Sequence, residues 1–179
     1  MSGETMTLAR VVSALDYKEL PSEVVERTRL LVMDHVGIAL RARHAADLNP
    51  SVSGALTALG FIGGQSSVVG DLAGYALPAA AFYNGNLAHS LDFDDTHARG
   101  SIHPSAPIVP AALAAGEMTG ASGCDLITAI VAGYETQIRI SIALGPTAHY
   151  LQGFHPTATC GAFGAAAAAG RLFGLDAEE

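Results

Sequence analysis

Residues 157–173 have the sequence TATCGAFGAAAAAGRLF, which is the most distinctive stretch of this 179-residue chain. Small residues dominate it, since Gly161 and Gly164 are followed by five consecutive alanines. A helix with such small side chains can approach a neighbouring helix closely. The stretch therefore predicts a helix over residues 157–173 that is central in a helical bundle.

The apolar residues elsewhere in the chain also recur mostly at helical spacing. A first helical run covers residues 8–15, and start and stop signals predict further helices over about 22–42, 50–61, 78–91, 107 or 110 to 120, and 122–143. Residues 66–71, SSVVGD, predict a brief strand or an extended connection near Val68 and Val69. One strand does not make a sheet, so the predicted fold class is all-α, a multihelical bundle.

Composition and charge exclude several classes of protein. Half of the residues are hydrophobic, the net charge is -8, and only nine residues are Lys or Arg. Such a chain lacks the positive surface that nucleic-acid binding requires, and it has no signal-peptide pattern and no stretch approaching the ~20 apolar residues of a membrane span. We expect a soluble, cytoplasmic protein with no nucleic-acid or membrane partner. Cys124 and Cys160 are expected to be small buried apolar residues.

Most of the histidines fall in two polar segments that follow apolar helices. Residues 89–103 and 149–155 hold five of the seven, and imidazole is the side chain best suited to move protons near neutral pH. His103 and His155 are each followed by proline, which holds the preceding residue extended at the start of a helix, where free N–H groups attract anions. These two residues predict a carboxylate pocket.

The remaining histidines of helix 22–42 and its end, His35 and His44, are predicted to be surface or boundary residues.

Three carboxylates within four residues, Asp92, Asp94 and Asp95, must be held against mutual repulsion. Helix capping is expected to account for at least one of them. A divalent metal is the other solution, and it leaves open a metal-dependent hydrolase that uses Asp92, Asp94, His97 and His103. The chain has no HxH, HExxH or HxxxD spacing on a helix, so capping is favoured and no metal ligand is assigned.

Four motifs follow one another along the chain: NGNLAHSLDFDDTH at 84–97, HPSAPIVPAAL at 103–113, AGYE at 132–135 and HPTATCGAFGAA at 155–166. In sequence, order and separation they resemble the MmgE/PrpD family, the 2-methylcitrate dehydratase and cis-aconitate decarboxylase group. AGYE alone is a weak signal, whereas LDFDDTH followed by the two HP motifs is highly specific. The resemblance spans essentially the whole chain.

The resemblance implies a cofactor-independent lyase, a dehydratase or decarboxylase, or a related isomerase or epimerase, acting on small polycarboxylic acids such as 2-methylcitrate or cis-aconitate. It maps the catalytic residues onto Asp92, Thr96, His103 and His155, with His97 joining Thr96 and the two HP histidines in substrate binding. Elimination from such acids passes through a carbanion or enolate-like species. His103 and His155 would bind carboxylate and transfer protons, and Asp92 would orient a histidine or hydroxyl.

The domain organisation of the family implies that this chain is only one part of a complete family member. Members have a large helical domain, a smaller α/β lid and lysines late in the sequence, whereas the only lysine here is Lys18. Residues 1–179 are therefore expected to be a partial helical domain without the carboxy-terminal remainder and lid. Asp176 and Glu179 form a capping-box pattern that announces a further helix. We expect a homodimer of the full-length enzyme, or a second chain that supplies the missing part.

Overall fold

The computed structural model describes residues 3–179, and these are mostly helical, as predicted. The α-helices are α1 (Glu4–Ser13), α2 (Ser22–Ala45), α3 (Asn49–Ala58), α4 (Leu77–His89), α5 (Ser105–Thr119), α6 (Gly123–Leu144), α7 (Pro146–Leu151) and α8 (Pro156–Phe173). A short 3-10 helix covers Tyr17–Glu19. Two short strands, β1 (Ile62–Ser67) and β2 (Gly74–Tyr75), pair antiparallel. Among the residues described, no helix combines the length and apolarity needed to cross a bilayer.

Three differences separate these elements from the sequence-based expectation. The strand lies earlier than predicted, because β1 ends at Ser67 and Val68 follows it as a buried core residue. The chain does not leave helical structure after Gly145, because Pro146 begins the unpredicted α7. Helix α5 begins at Ser105, before Pro107, and Pro110 lies inside it.

Helix α8 is central, and glycine makes its position possible. It packs against α5, α6 and α7. A Cβ atom placed on Gly164 would lie 2.9 Å from the carbonyl oxygen of Gly133 in α6, and one on Gly161 would lie 2.8 Å from Pro107 of α5. The predicted close approach of a neighbouring helix is therefore confirmed, and α6 and α5 supply the neighbours.

His35 corrects the prediction of a surface or boundary histidine. It is 0% exposed, because α2 buries one face that includes Thr28, His35, Ala39 and Ala42. Neither ring nitrogen has a hydrogen-bond partner within residues 3–179. Burial lowers the pKa of His35 to about 4, and the negative charge of Asp94 opposes this shift only in part. His44 is exposed, as predicted.

Two smaller expectations have opposite outcomes. Cys160 is buried as predicted, but Cys124 is exposed in the first turn of α6, so that part of the prediction is wrong. The capping hydrogen bonds expected near the end of the chain are present, because Asp176 N–H donates to the Glu179 carboxylate (3.1 Å) and Glu179 N–H donates to Asp176 (3.3 Å).

A polar network joins α2, α3, α4 and the segment after β1. Arg43 donates to the Asp71 carboxylate and to the Tyr83 hydroxyl. The Tyr83 hydroxyl donates in turn to Asn49, and the Tyr75 hydroxyl donates to Asp71 at 2.7 Å. This closed network, called the Arg43 network below, holds α4 in place at the side where the polar loop 90–104 follows.

Candidate active site

The loop between α4 and α5, residues 90–104, brings the first polar segment together. Asp92 and Ser101 adopt left-handed backbone conformations, with φ of 54° and 50°, so the chain reverses direction within a few residues. The Ser141 hydroxyl of α6 donates to the carbonyl oxygen of Gly100 at 2.7 Å. The loop is therefore bent on itself and fixed to the bundle.

Asp95 has a capping role. Its carboxylate accepts hydrogen bonds from the N–H of Ser105, the first residue of α5 (2.9 Å), and from the Tyr134 hydroxyl (3.0 Å). Burial and the adjacent Asp95 charge raise the pKa of Tyr134, so its hydroxyl keeps its proton and remains a donor. The expectation that capping explains at least one of the three aspartates is confirmed.

Asp94 lies between two imidazoles. Its side chain is 0% exposed, and its two oxygens lie 2.9 and 3.2 Å from His89 Nδ1. One oxygen lies 3.4 Å from His103 Nδ1, and the His89 and His103 rings meet edge to face with centroids 5.0 Å apart. Within residues 3–179, no lysine or arginine forms an ion pair with Asp92, Asp94 or Asp95.

His89 and Asp94 were absent from the predicted site. The hydrogen bond to Asp94 raises the pKa of His89. Burial opposes this rise, and the negative charges of Asp94 and Asp92 add to it. The separation of five residues is the only sequence signal for the pair. It becomes a contact only through the left-handed turn at Asp92, which the sequence does not indicate.

The other predicted residues of this loop differ in their surroundings. Asp92 is 83% exposed on its side chain, and its Oδ1 lies 3.9 Å from His103 Nε2. Thr96 is exposed at the loop surface. His97 has a local contact, since its Nδ1 accepts a hydrogen bond from the Gly100 N–H at 3.1 Å. The structure thus brings Asp92 and His103 together and leaves His97 in its own turn.

The second histidine segment is joined to the first through a backbone hydrogen bond. The N–H of His103 donates to the Thr157 hydroxyl at 3.0 Å, and His155 directly precedes α8. The Tyr150 ring packs edge-on against His155, with centroids 5.7 Å apart. Burial lowers the pKa of His155, and positive charge on His89 and His103 lowers it further. The two HP segments therefore meet at the start of α8.

A cleft of about 720 Å³ lies beside these side chains. His89 and His155 both line it, and most of its wall is apolar, including Phe82, Pro107 and Pro110. A separate cleft of about 670 Å³ beside α2 has no histidine in its lining. An apolar pocket with a few convergent polar groups is the usual form of a small-molecule site, so the first cleft is the candidate active site.

The same region has the donor types of a metal centre. His89, Asp92, Asp94 and His103 each offer one ligand atom, and these atoms lie within 4.8 Å of one another. Imidazole nitrogen and carboxylate oxygen suit a divalent ion such as Zn²⁺. This set contains His89 in the place of His97, the histidine of the metal-dependent alternative.

The fold and the cluster together define a helical domain with a histidine–aspartate site suited to proton transfer. Residues 6–179 match the MmgE/PrpD N-terminal domain, and the chain belongs to the MmgE/PrpD family.

Several curated proteins are similar to the chain over nearly its whole length. A cis-aconitate decarboxylase-like protein of Aspergillus oryzae is 29% identical over 184 residues, which cover 98% of this chain and 37% of the relative. The cis-aconitate decarboxylase of Mus musculus is 30% identical over 177 residues, covering 96% and 36%. That of Homo sapiens is 29% identical over 182 residues, with the same coverage. The chain thus spans just over a third of these relatives' length.

Proposed function

We propose that this protein takes part in a cofactor-independent lyase reaction, a dehydration or decarboxylation, on a small polycarboxylic acid of the cis-aconitate or 2-methylcitrate type. The observation that carries the proposal is that His89 and His155 line one cleft, with the His103 ring 5.0 Å from that of His89. The family and the names of the relatives support the reaction class.

Binding of the substrate carboxylates is the first task of this site. His155 stands at the start of α8, an 18-residue helix whose first N–H groups carry partial positive charge. The N–H of the neutral His155 imidazole beside that helix start adds a hydrogen-bond donor to a substrate carboxylate. His103 and His155 would hold carboxylates, and Thr96 and His97 would extend the contact along the exposed loop.

Proton transfer is the second task. In decarboxylation the C–C bond to the leaving carboxylate breaks, its electron pair stays on carbon, and that carbon takes a proton from an acid. In dehydration a base removes a proton next to a carboxylate, and the hydroxyl leaves as water with a proton from an acid. Opposite pKa shifts separate acid and base roles. His89 has a raised pKa and His155 a lowered one, so we assign the proton-donating side to His89 and the accepting side to His155.

The complete reaction needs more positive charge than these histidines provide. A substrate with two or three carboxylates would lie beside an acidic cluster. Among residues 3–179, no lysine or arginine pairs with the aspartates of that cluster. We propose that cationic groups outside these residues complete the site, from a longer polypeptide that forms a homodimer or from a second chain. The purified 179-residue chain alone should then show no CO₂ release from cis-aconitate and no dehydration of 2-methylcitrate. Robust turnover would contradict the incomplete site.

Binding to the chain itself tests the proposed site without turnover. We would label the histidines with ¹⁵N and titrate tricarballylate, a saturated and unreactive tricarboxylate. The His103 and His155 signals should shift together, and His103→Ala or His155→Ala should weaken binding by about tenfold, the loss expected for a charge-assisted hydrogen bond. His44→Ala removes an exposed histidine on α2 and should change nothing. Equal binding by all three variants would refute the site.

A further inference from the structure

The carboxylate of Asp94 is buried next to the imidazoles of His89 and His103, and its close charged neighbours are these two rings. His89 Nδ1 is within hydrogen-bond geometry of it at 2.9 Å, and the buried His103 Nδ1 lies 3.4 Å from it with no hydrogen-bond partner among residues 3–179. We propose that Asp94 is a positioning residue that fixes both rings in the Nδ1–H form and presents both Nε2 atoms to the substrate. The inference rests on the proposed lyase function for its catalytic meaning, but the ring states themselves can be measured without substrate.

Hydrogen-bond donors and acceptors decide which ring nitrogen carries the proton. An ionised carboxylate has only acceptor sites, so a ring nitrogen hydrogen-bonded to it, as His89 Nδ1 is, carries the proton. The buried His103 Nδ1, 3.4 Å from the same carboxylate, is left without a partner unless it also carries a proton and turns toward Asp94. In a neutral imidazole the other nitrogen, Nε2, then has the free lone pair. Free histidine favours the opposite form, with the proton on Nε2. One buried aspartate would therefore reverse the tautomer of two histidines at once.

The direction of the rings makes this reversal useful. Because both Nδ1 atoms face the 0% exposed Asp94, each Nε2 atom lies on the far side of its ring from that carboxylate. His103 Nε2 lies 3.9 Å from the exposed Asp92 carboxylate, at the loop surface, and His89 lines the cleft with His155. A substrate that lies in the cleft and extends to the loop surface would meet two Nε2 atoms that can accept a proton when neutral and donate one when charged.

A purely structural role for Asp94 predicts something different. If the carboxylate only stabilised the loop, any group that kept the loop folded would serve, and the ring tautomers would not affect ligand binding. Asparagine separates the two roles. It has nearly the shape of aspartate, but its one acceptor oxygen can serve only one Nδ1–H, and its NH₂ group needs an acceptor. Asp94→Asn should therefore leave one ring in the Nδ1–H form and switch the other to Nε2–H.

The experiment is a long-range ¹H–¹⁵N spectrum of the ¹⁵N-histidine chain at pH 8, which reports the tautomer of each neutral ring. We expect both His89 and His103 in the Nδ1–H form in the unaltered chain. Asp94→Asn should switch one of them, Asp94→Ala should switch both, and tricarballylate binding should weaken by roughly tenfold or more, the usual loss when a group that orients a functional histidine is removed. Asp34→Asn, an exposed aspartate on α2, is the matched control and should leave tautomers and binding unchanged.

Each outcome decides the proposal. Nε2–H signals for His89 and His103 in the unaltered chain would overturn it, and that measurement stands even where an Asp94 variant fails to fold. Unchanged tautomers in folded Asp94→Asn and Asp94→Ala would overturn it as well. If the tautomers behave as expected but tricarballylate does not bind the unaltered chain, the proposed function fails while the assignment of Asp94 as the residue that sets the rings stands.

Discussion

Asp71 and Asp94 are both poorly accessible carboxylates, but they have different partners. Asp71 pairs with Arg43 and accepts hydrogen bonds from the Tyr75 hydroxyl and the Ala73 N–H. Burial alone would raise the pKa of Asp71, but these hydrogen bonds and the arginine outweigh it and hold the pKa below its usual value. Among residues 3–179, the Asp94 carboxylate is hydrogen-bonded to His89 and lies 3.4 Å from His103 Nδ1, with no arginine or lysine paired to it.

The partner of a buried aspartate decides whether it suits a structural or a chemical role. An arginine remains charged at any working pH, so the Asp71 contact is permanent and fixes α2 against the segment between β1 and β2. Histidine gains or loses its proton near neutrality, so the contacts of Asp94 change strength when a proton moves. A site that must transfer protons needs the second kind of partner. The predictions below test this contrast, from the largest expected effect to the smallest.

Breaking the Arg43 network should cause the largest loss of stability. Arg43→Met keeps much of the side-chain stem but leaves Asp71 without its cation, and removing one partner of a buried pair costs roughly 3 kcal/mol. Urea denaturation at pH 7 measures the free energy of unfolding. The control is Arg29→Met, because Arg29 is 58% exposed and pairs with Glu26 one turn away. That exposed pair should contribute about 0.5 kcal/mol or less. Equal losses for the two variants would contradict the structural role of the network.

His35 should make stability depend on acid. Its folded pKa of about 4 lies below the ordinary 6.5, so between these values the unfolded chain binds a proton that the folded chain does not. Stability then falls as the pH falls through this window, by on the order of 3 kcal/mol in total. His35→Leu removes the buried imidazole and should flatten this part of the pH profile in urea denaturation. His44→Leu, at an exposed position, should not, and parallel profiles for His35→Leu and the unaltered chain would show that His35 is protonated in the fold.

The helices and the two HP segments could be predicted because their signals are local. Pro156 begins α8, Ser122 and Asp125 form the capping box of α6, and the small residues of α8 require a close neighbour. The identity of that neighbour could not be predicted. The close contact between Gly133 and Gly164 joins residues that are far apart in the chain, and nothing in either helix specifies the other.

The site was only partly predictable for a related reason. His103 and His155 carry their signal in the following proline, whereas His89 and Asp94 meet through a loop with two left-handed non-glycine residues. Those conformations depend on tertiary contacts such as the hydrogen bond from Ser141 to Gly100. The burial of His35 was not predicted, because a polar residue on a long helix predicts exposure. Packing against the core overrides that preference.

Asp94→Asn should cost much less stability than the Arg43 variant, because it leaves neutral rings and no unpaired cation. We expect about 1 kcal/mol, the net value of a hydrogen bond. The loss should depend on pH. The raised pKa of His89 contributes stability that is fully present below 6.5 and is lost as the pH rises through the folded pKa. Urea denaturation at pH 5.5 and pH 8.5 should therefore show the larger loss at pH 5.5. A loss that is the same at both pH values would mean that Asp94 does not hold a protonated His89.

The smallest effect should be on His155, whose pKa has two kinds of cause. Burial is the larger cause of its lowered pKa, and positive charge on His89 and His103 adds to it. His89→Ala removes one of these charges and leaves the partial desolvation of the His155 ring, which packs against Tyr150, in place. An NMR titration of the His155 ring should therefore show a pKa that rises but stays below 6.5. The control is His97→Ala, which removes a histidine that does not contribute to this shift and should leave the titration unchanged. If His155 returned to its ordinary pKa in His89→Ala, charge coupling across the cleft would dominate and burial would be minor. If its pKa did not move at all, His89 would not act on His155 through its charge. The protonated state that Asp94 is expected to hold on His89, and Asp71 does not hold on any histidine, would then have no effect across the cleft.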